Sequence, residues 1–576
     1  MYETTSNESC VEIARLLHAH GVRRVVVSPG SRNAPLSVAI NRLGVFNVEV
    51  VIDERTAGFV ALGMALIASE PVAVMCTSGT ALLNLAPAVA EAYYRHVPLI
   101  VISADRPAEW IDQDDSQTLR QYKALDNIVK GSYNLPAFTS TPNLRWLVNR
   151  TVNDCIATAV ADACGPVHLN VQIDEPLDRM SCPETENVRA INVLRAHSDL
   201  PVNIAEPIAK SLSEGGKILI IAGFGQPSSR INSLLGRLAS LNNIAVMTEA
   251  QSNVHLPSGA NVVPAVDATL SAMTDEMLEE MMPDIVITFG GSLLSRFVKQ
   301  WLRGGAARGI VRHWHVGVSD HAVDCFRCLE MRVDMPAEVF FHGLVRVASA
   351  LSVPTSDYGQ RWRVYAAEAA LAKYNFCDKV GWTDLKAMEL VMASIPSAYN
   401  LQLSNGTAVR YAQLFNNGHI HRIDCNRGVS GIDGCTSTAI GAAKAYSGPT
   451  VLVTGDMSAQ YDMGALAVPD IPADFRIVVL NNGGGGIFRF IRSTSGLAEL
   501  ERYFVGDVRL PLASLAEAFG FGYCEVSSAE DFEAVADKFF NSKSSRPAIM
   551  NIITPGQESA DTLREYFSVK IKDTQS

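Results

Sequence analysis

Two short motifs in the last third of the chain contain side chains that suit a magnesium site. Gly455-Asp456 ends one apolar stretch, Asn481-Asn482 ends the next, and the four glycines 483–486 follow directly. A carboxylate and an amide oxygen suit Mg²⁺, which prefers hard oxygen ligands. The glycines leave backbone groups free to approach phosphate oxygens closely. Together these residues could hold a magnesium ion and a phosphate group.

The spacing of the two motifs indicates more than either motif alone. A strand-end aspartate that caps a helix, beside a flexible glycine loop, is the ordinary alternative explanation. Asp456 and Asn482 lie 26 residues apart, which leaves room for a crossover helix and a return strand. Parallel strands joined in this way are right-handed neighbours, and ligands bind at the carboxyl edge of such sheets. The spacing therefore predicts that both side chains reach one edge.

Glu54 is the third residue whose position suggests chemistry. It follows the apolar stretch VEVVID (48–53) and precedes a helical pattern over 55–68. A carboxylate in an apolar pocket has a raised pKa and can share a proton with a bound ligand. The alternative is an acidic residue in the first turn of a helix, stabilised there by the helix macrodipole.

Apolar strands alternate with helical stretches along the chain, which is typical of parallel α/β sheets. We predict three doubly wound parallel-sheet domains, over 1–180, 200–351 and 361–576, with polar linkers over 178–202 and 352–360. The first domain has four predicted buried strands, in the stretches 22–30, 48–53, 71–79 and 98–105. Predicted strands of the other two domains lie in the stretches 217–223, 244–249, 284–291, 449–456, 475–482 and 547–554.

The composition excludes several kinds of partner. The 576 residues carry a net charge of −12 without a run of Lys or Arg, whereas nucleic acids and membrane surfaces favour a basic face. We expect neither a signal peptide nor a membrane span, because no basic leader and no apolar stretch of about 18 residues is present. Eleven scattered cysteines fit reduced thiols in a cytoplasmic protein. The close pair Cys325 and Cys328 has only His321 nearby, which is too few ligands for zinc.

The order of strand, Gly-Asp, helix, strand, Asn-Asn and glycine loop resembles the diphosphate-binding signature of thiamine diphosphate enzymes. IDERTAGFVALGMA (52–65) and TSGTALLNLAPAVAEA (77–92) resemble the glutamate segment and the cofactor-contacting turn of this superfamily. The resemblance implies thiamine diphosphate bound through Mg²⁺, for which Mn²⁺ can substitute, and a Glu54 that hydrogen bonds the aminopyrimidine N1′. It also implies that the glutamate and the metal site come from different subunits of a homodimer or homotetramer.

The same resemblance implies a set of cofactor contacts. Asp456, Asn482 and Gly484 would hold the metal. Ile432 matches the bulky apolar residue that keeps the cofactor bent, and Ile487 and Phe488 would form apolar walls. An ordinary core residue is the alternative explanation for each of these three. The other predicted cofactor contacts are Glu54, Thr80, Asn84, Ser430, Gly455, Met457, Ser458 and Gly485.

Six segments over most of the chain resemble one branch, the 2-succinyl-5-enolpyruvyl-6-hydroxy-3-cyclohexene-1-carboxylate (SEPHCHC) synthases of menaquinone biosynthesis. SPGSRNAPL (28–36) and NRGVSGIDG (426–434) are the specific ones. The resemblance implies decarboxylation of 2-oxoglutarate and 1,4-addition of the remaining succinyl-semialdehyde unit to isochorismate. The other four segments are DERTAGFVALGMA (53–65), TSGTALLNLAPA (77–88), SADRP (103–107) and GDMSAQYD (455–462).

Both implied substrates carry two carboxylates, so an acidic protein must place arginines locally to bind them. A surface or interdomain ion pair is the alternative for any single arginine. The chain departs from the family pattern at Asn405-Gly406, where the family often has Asn-Ser, and at Arg296 and Phe297, which align with a lysine and an arginine. The predicted substrate contacts are Ser31, Arg32, Arg106, Gln117, Arg410 and Arg427.

Three other functions fit parts of the sequence. Another thiamine diphosphate-dependent 2-oxo acid decarboxylase, or an acetolactate synthase-like carboligase, would not need four arginines around its site. A nucleotide-binding oxidoreductase is suggested by GFGQ (223–226) after a strand, but a full G-x-G-x-x-G is missing. A non-catalytic scaffold would be expected to lack Glu54, Asp456 or Asn482, and all three are present.

Overall fold

The structure, a computed structural model, contains three six-stranded parallel sheets that follow one another along the chain, and one two-stranded antiparallel pair. The predicted fold class of three parallel-sheet α/β units is therefore confirmed. No helix in the described part of the chain is both long and apolar enough to cross a membrane. The described residues are 3–182, 188–194, 199–214, 216–319, 321–349, 356–506 and 510–571.

The first unit has helices on both faces of its sheet. Its strands are β1 (Thr4–Thr5), β2 (Arg24–Val27), β3 (Asn47–Val50), β4 (Val72–Cys76), β5 (Leu99–Asp105), β6 (Ser132–Leu135), β7 (Val167–Gln172) and β8 (Met180–Ser181). Its helices are α1 (Glu8–Ala19), α2 (Ala34–Leu43), α3 (Glu54–Ala68), α4 (Ala81–Asn84), α5 (Ala86–Tyr94) and α6 (Pro142–Ala159). β1 pairs with β8, and the other strands have the order β3-β2-β4-β5-β7-β6.

The central unit has the strand order β11-β10-β9-β12-β13-β14. The chain adds β10 and β11 on one side of β9 and then returns to add β12, β13 and β14 on the other side. Its strands are β9 (Ile218–Ala222), β10 (Ile244–Thr248), β11 (Val262–Val263), β12 (Ile285–Phe289), β13 (Arg312–Val316) and β14 (Leu329–Val333). Its helices are α7 (Val202–Ser213), α8 (Ser229–Leu238), α9 (Val266–Ala272), α10 (Asp275–Glu280), α11 (Arg296–Ala307), α12 (Ala337–Ser349) and α13 (Tyr358–Cys377).

The third unit has the strand order β16-β15-β17-β18-β20-β19. Its strands are β15 (Asn400–Leu403), β16 (Arg422–Cys425), β17 (Thr450–Gly455), β18 (Arg476–Asn481), β19 (Gly522–Val526) and β20 (Ala548–Ile553). Its helices are α14 (Asp384–Ser394), α15 (Ala408–Ala412), α16 (Cys435–Ala445), α17 (Asp456–Tyr461), α18 (Gly486–Phe490), α19 (Leu512–Ala518), α20 (Ala529–Asn541) and α21 (Gly556–Ser568). A π-helical turn spans Leu500–Val505.

Alternation along the central strands explains why their sequences are apolar throughout. Val72, Val74 and Cys76 of β4 pack into the core that contains α3, whereas Ala73 and Met75 pack into the core that contains α1 and α2. A strand covered on both faces needs apolar residues at every position, and this favours a continuous apolar run.

The prediction that all four strands of the first unit are buried is wrong for β3. This strand lies at the edge of the sheet and has no fully buried residue. Val50 at its end is 50% exposed, and Ile52 just beyond it is 82% exposed. An edge strand has one neighbour and an open flank, so its apolar sequence does not imply burial.

The predicted linkers fall partly outside the described residues, at 183–187, 195–198 and 351–355. The domain boundaries stay a prediction. α13, most of which lies beyond residue 361, packs on the central sheet through the buried side chains of Tyr358 and Trp362.

α3 and α16 cross at two glycines and join the first and third units. A Cβ on Gly63 would lie 2.0 Å from the carbonyl oxygen of Thr438, and a Cβ on Gly441 would lie 2.0 Å from that of Val60. Only residues without a side chain allow two helix backbones to approach this closely. The apolar side chains of both helices belong to one hydrophobic core.

A buried ion network joins all three units. Asp424 of β16 accepts hydrogen bonds from Arg95 Nη2 at 3.2 Å and from Arg422 Nε at 2.7 Å. Arg422 Nη2 also donates to the Leu66 carbonyl and to Gln226 Oε1, each at 2.8 Å. Burial opposes ionisation, but the two guanidinium groups hold the pKa of Asp424 below its usual value. Removing one partner of such a buried network typically costs about 3–5 kcal/mol.

We predict that Gly441→Ala destabilises the protein, because its new methyl group would meet the backbone of α3. Overpacking of this kind typically costs about 1–3 kcal/mol, which corresponds to an apparent melting temperature lower by roughly 2–10 °C. Gly304→Ala in α11 is the matched control, because nothing lies within 4 Å of its new Cβ. Scanning fluorimetry should show that the control melts at or above the wild-type temperature. Equal melting temperatures of the two variants would contradict the close approach of α3 and α16 at Gly441.

Candidate functional site

Asp456 and Asn482 lie at the carboxyl edge of the third sheet. β17 and β18 are parallel neighbours, and Gly455 at the end of β17 lies opposite Leu480. Asp456 begins α17 directly after β17, and Asn482 follows the last residue of β18. The strand pairing predicted from their spacing is therefore confirmed, and their role as metal ligands stays a prediction.

Asp456 fastens the glycine loop to the end of β17. The residue before α17 is Gly455, so Asp456 is not the N-cap residue of the helix. Its Oδ1 accepts from Met457 N at 2.7 Å and its Oδ2 from Gly484 N at 2.8 Å. Burial raises the pKa of Asp456 to about 6, against these hydrogen bonds, and the neighbouring Asp384 adds to the rise. Helix capping, the ordinary alternative explanation, therefore does not account for an aspartate at position 456.

Asn482 presents a buried oxygen that has no protein partner. Its Nδ2 donates to Asp384 Oδ2 at 2.7 Å, whereas its Oδ1 is buried and unpaired. Leaving such an acceptor unpaired costs about 1–3 kcal/mol, so a ligand at this atom would be stabilising. The donor set of one carboxylate and one free amide oxygen fits Mg²⁺. The described residues contain no group of three His, Cys, Asp or Glu side chains that could hold a metal alone.

The glycine loop has one crowded and one open position. Gly484 has a φ of 140°, and a Cβ there would lie 2.5 Å from the carbonyl oxygens of Val505 and Gly506. Gly485 N donates to the Val505 carbonyl at 2.8 Å, which fixes the loop against the π-helical turn. Gly483 has a φ of 81° and open space around it. The loop therefore needs glycine for its own packing at 484 and leaves room for a ligand at 483.

Glu54 is the first residue of α3, but Asp53 caps the helix. Asp53 accepts from the backbone N–H groups of Arg55 and Thr56, at 2.9 and 3.3 Å. Glu54 is half-buried, and its Oε2 accepts from Asn84 Nδ2 at 3.3 Å. Asn84, a predicted cofactor contact, is itself exposed. Glu54 is therefore not needed as the cap, and its role toward a cofactor stays a prediction.

Two turns of the first unit meet near the predicted substrate contacts. A Cβ on Gly30, next to the exposed Ser31, would clash with the Thr77 side chain, so the 28–36 turn lies directly on the 77–80 turn. Gln121 accepts from Gly79 N at 2.7 Å, and its Nε2 donates to the Ala104 carbonyl. This buried glutamine joins the 77–80 turn to the end of β5, which no sequence motif predicted.

Gln117 and Thr80 are exposed at this edge of the first sheet. Gln117 has a φ of 55°, an uncommon conformation for a residue with a side chain, and its backbone lies about 3.5 Å from the position of a Cβ on Gly79. The two residues lie on neighbouring loops, as a shared ligand would require.

Arg32 and Arg106 are already paired within the chain. The buried Arg32 donates to the Ile173 carbonyl and to the exposed Glu175. Arg106 forms an ion pair with Asp115 at 2.8 Å, and its Nε donates to the Ser116 carbonyl. The ion-pair explanation therefore holds for both in the free chain, and their role toward substrate stays a prediction.

Arg410 and Arg427 lie together and include Arg296 in one cationic group, which we call the arginine cluster. Burial and the nearby guanidinium groups of Arg296 and Arg427 lower the pKa of Arg410, against the attraction of Asp267. Three like charges at one place are unfavourable unless an anion joins them. The cluster is therefore suited to a carboxylate ligand. Phe297, by contrast, packs against Phe567 with ring centroids 5.1 Å apart.

The loop 426–434 is fixed by residues that sequence reasoning missed. Glu91 of α5 is buried and accepts from Gly428 N at 2.7 Å and from Val429 N at 2.8 Å. Asn405 donates to the carbonyls of Asn426 and Gly431 and accepts from Arg427 Nη1 at 3.0 Å. The signal for Glu91 was a lone acidic residue within the apolar helix AVAEA.

The residues of this loop that were predicted to contact the cofactor are accessible. Ser430 has a φ of 66°, and Ile432 is only partly buried, so it is not an ordinary core isoleucine. Ser458 Oγ donates to the Ile432 carbonyl at 2.7 Å. Ile487 and Phe488 are also only partly buried, although Phe488 stacks near Phe504.

The glycine at the family's serine position lies beside a buried serine. Gly406 has a φ of 95° with open space around it. Ser404 is fully buried, and its Oγ accepts from Gly455 N at 3.3 Å and donates to the Asn405 carbonyl. The Ser404 hydroxyl therefore supports the end of β17.

The central unit contributes two features noted in the sequence. Gly225 and Gln226 line a cavity of about 560 Å³ beside Arg95 and Lys299, at the carboxyl edge of the central sheet. Cys325 and Cys328 are free, and burial raises the pKa of both thiols, that of Cys328 to about 11. Both thiols are therefore protonated at neutral pH.

Two family models match the chain. One is "Thiamine pyrophosphate enzyme, N-terminal TPP binding domain", over residues 12–125, and the other is "Thiamine pyrophosphate enzyme, C-terminal TPP binding domain", over residues 405–552. The three sheets, the glycine loop and these matches define a thiamine diphosphate-dependent enzyme.

Relatives over the full length define the branch. The chain is 39% identical over 559 residues to a protein of Porphyromonas gingivalis, with 96% of this chain and 95% of that protein covered. It is 35% identical to a protein of Flavobacterium johnsoniae, covering 96% and 97%, and 35% identical to one of Phocaeicola vulgatus, covering 98% and 99%. All three are named 2-succinyl-5-enolpyruvyl-6-hydroxy-3-cyclohexene-1-carboxylate synthase. The chain belongs to the SEPHCHC synthase family.

We predict that Glu91→Gln loosens the loop 426–434. A carboxylate accepts from both backbone N–H groups, whereas an amide accepts from one and opposes the other, which costs about 1–3 kcal/mol. Calorimetry should show weaker thiamine diphosphate binding, and scanning fluorimetry a lower apparent melting temperature. Glu517→Gln, at an exposed position of α19, is the control and should leave both unchanged. Wild-type affinity and melting of Glu91→Gln would show that Glu91 does not hold the loop.

Proposed function

We propose that this enzyme decarboxylates 2-oxoglutarate and adds the remaining four-carbon unit to isochorismate, giving SEPHCHC and CO₂ in menaquinone biosynthesis. The observation that carries the proposal is the full-length similarity to proteins named for that product, at up to 39% identity. The arginine cluster supplies the carboxylate-binding chemistry that two dianionic substrates need. A cytoplasmic location follows from this role in intermediary metabolism, and the free cysteines fit it.

Mg²⁺, or Mn²⁺ in its place, is proposed to join the protein to the diphosphate. Asp456, the unpaired Oδ1 of Asn482 and the backbone of Gly484 would hold the ion. Thiamine diphosphate, when bound, supplies the electron sink that decarboxylation of a 2-oxo acid requires. Further proposed contacts with it are Thr80, Asn84, Ser430, Ile432, Gly455, Met457, Ser458, Gly485, Ile487 and Phe488.

Glu54 is proposed to hydrogen bond the aminopyrimidine ring and hold a proton there. Because Asp53 caps α3, the carboxylate of Glu54 is available for this contact. Ile432 and Phe488, both partly exposed, would exclude water from the reacting centre.

The arginines are proposed to divide the two substrates between the first and third units. Arg410 and Arg427 of the arginine cluster would hold one carboxylate, because neither forms an ion pair within the described residues. Asp267 and Glu91 act on them only electrostatically. Arg32 and Arg106 would hold another by exchanging Glu175 or Asp115, both partly exposed, for substrate. Ser31 and Gln117, exposed beside them, would donate hydrogen bonds.

The site is proposed to form between two copies of this chain. The N-terminal end of α3 contacts Tyr461, the last residue of α17, at the end of that helix opposite to Asp456. Exposed apolar side chains surround Glu54, with Ile52 82% and Leu83 42% exposed. A homodimer, or a homotetramer built from it, would bury them and bring Glu54 to the metal site of its partner.

The proposal predicts turnover only when both substrates and both cofactors are present. Purified protein with 2-oxoglutarate, isochorismate, thiamine diphosphate and Mg²⁺ should release CO₂ and consume the isochorismate absorbance. Omission of either cofactor should abolish both signals. Pyruvate in place of 2-oxoglutarate should give little CO₂, since it lacks the second carboxylate. Preference for pyruvate would instead favour an acetolactate synthase-like carboligase.

We predict that Glu54→Gln lowers kcat by roughly 10²- to 10⁴-fold while the fold is retained, because the ring nitrogen loses its ionisable partner. Steady-state kinetics and circular dichroism measure the two effects. Glu70→Gln, whose ion pair with Arg24 is at the surface, is the control and should keep wild-type kinetics. A normal kcat in Glu54→Gln would remove this residue from the reaction.

The same variant tests whether the site spans two subunits. Glu54→Gln and Asp456→Ala chains, co-expressed with different tags and purified as mixed oligomers, should regain part of the wild-type activity. Each mixed dimer would contain one site with both residues intact. If both residues of a site came from one chain, the mixed oligomers would remain as inactive as the parent variants.

A further inference from the structure

Asp384 is a buried acidic residue that the proposed reaction does not use. It begins α14 and is 2% exposed. Its Oδ2 accepts from Asn482 Nδ2 at 2.7 Å, its Oδ1 accepts from Thr554 Oγ1, and its backbone N–H donates to Ser559 Oγ at 2.9 Å. Each carboxylate oxygen thus has one side-chain donor.

The hydrogen bond from Asn482 to Asp384 determines which way the amide of Asn482 faces. The oxygen and the NH₂ group of an asparagine are almost the same size, so packing alone does not distinguish the two orientations. An ionised carboxylate only accepts hydrogen bonds, and it therefore selects the NH₂ group. Asn482 Oδ1 must then point away from Asp384, and it is the atom left buried without a partner.

The charges around this pair are arranged for a cation. Asp384 is close enough to Asp456 to act on it electrostatically. Arg489 attracts both carboxylates and donates a hydrogen bond to the Asn482 carbonyl. Its guanidinium group is also paired with Glu501 at 2.8 Å. A divalent ion at Asn482 Oδ1 would offset the remaining negative charge.

We propose that Asp384 is the positioning residue of the metal site: it holds Asn482 in the one orientation that presents an oxygen to Mg²⁺. This inference rests on the proposed role of Asn482 as a metal ligand. It adds to the metal site a residue that lies in none of the cofactor motifs. Partners that orient metal ligands in this way commonly contribute roughly 10- to 100-fold to metal affinity.

Asp384→Ala tests the inference by metal binding and not by turnover. Calorimetric titration of thiamine diphosphate at a series of Mg²⁺ concentrations, and electron paramagnetic resonance with Mn²⁺, give the metal concentration for half-saturation. We expect this concentration to rise by roughly 10- to 100-fold in Asp384→Ala. Thr554→Val is the matched control, because it removes the other donor to the same carboxylate and keeps the bond to Asn482; its half-saturation should stay within about threefold of wild type.

Asp384→Asn decides the question if Asp384→Ala does not fold. Asparagine at 384 offers a donor as well as an acceptor to Asn482, so it no longer selects one orientation, and half-saturation should again move to higher metal concentration. Melting temperatures measured without metal distinguish a purely structural role of Asp384. Such a role would lower the stability of the Thr554 and Asp384 variants alike and would leave the metal titration unchanged. Wild-type metal affinity in a folded Asp384 variant, or equal losses in Asp384→Ala and Thr554→Val, would overturn the inference.

Two reference proteins separate this inference from the proposed function. Wild type must bind thiamine diphosphate in the presence of Mg²⁺, and Asp456→Ala must lose that binding. Failure of either reference contradicts the proposed metal site itself, whereas success of both with unaltered Asp384 variants contradicts only the role of Asp384.

Discussion

The close crossing of α3 and α16 is the contact on which the arrangement of the first and third units depends. Gly63 and Gly441 allow the two helix backbones to touch, and any side chain at either position would meet a carbonyl oxygen at 2.0 Å. Glu54 is the first residue of α3, and the loop 426–434 leads into α16. The crossing therefore fixes the first unit against the third and makes their sheets share one core. The buried network of Asp424 then ties the central unit to both. In the proposed dimer, Glu54 and the loop 426–434 of one chain would then serve two different sites.

Around this frame, most of the polar atoms of the site are held by residues far away in sequence. Glu91 of the first unit holds the loop of the third unit, and Gln121 holds the 77–80 turn against β5. Asp384 lies 98 residues before the asparagine that it contacts. A buried hydrogen bond to a fixed acceptor restricts the orientation of the group that donates it. Order in the site therefore comes from residues distant in sequence, across two units for Glu91 and within one unit for Gln121 and Asp384.

The sequence predicted what depends on local pattern. Apolar runs identified the ten predicted strands and the α/β class, and the spacing of Asp456 and Asn482 identified two neighbouring strands. Burial of β3 was predicted wrongly, because an apolar run does not reveal whether a strand has one neighbour or two. Glu91, Gln121 and Asp384 were missed for a related reason: each acts on a partner brought near only by the fold. Gln121 and Asp384 lie in none of the recognised motifs, and Glu91 lies within the 77–92 segment but was not singled out there. The ion pairs of Arg32 and Arg106 were open alternatives that only the folded chain could decide.

An acidic protein that binds dianions must concentrate positive charge locally and keep it from being neutralised by its own carboxylates. The positive charge of the arginine cluster is only partly offset in the described part of the chain. Asp267 attracts Arg410 but also accepts a hydrogen bond from Ser295, and Arg427 donates to Asn405 and is attracted by Glu91. Burial, and after it the nearby guanidinium groups of Arg296 and Arg427, lower the pKa of Arg410. A carboxylate at this position would offset the positive charge around Arg410. The net charge of −12 elsewhere does not oppose this, because charges separated by more than about 10 Å are largely screened in salt solution.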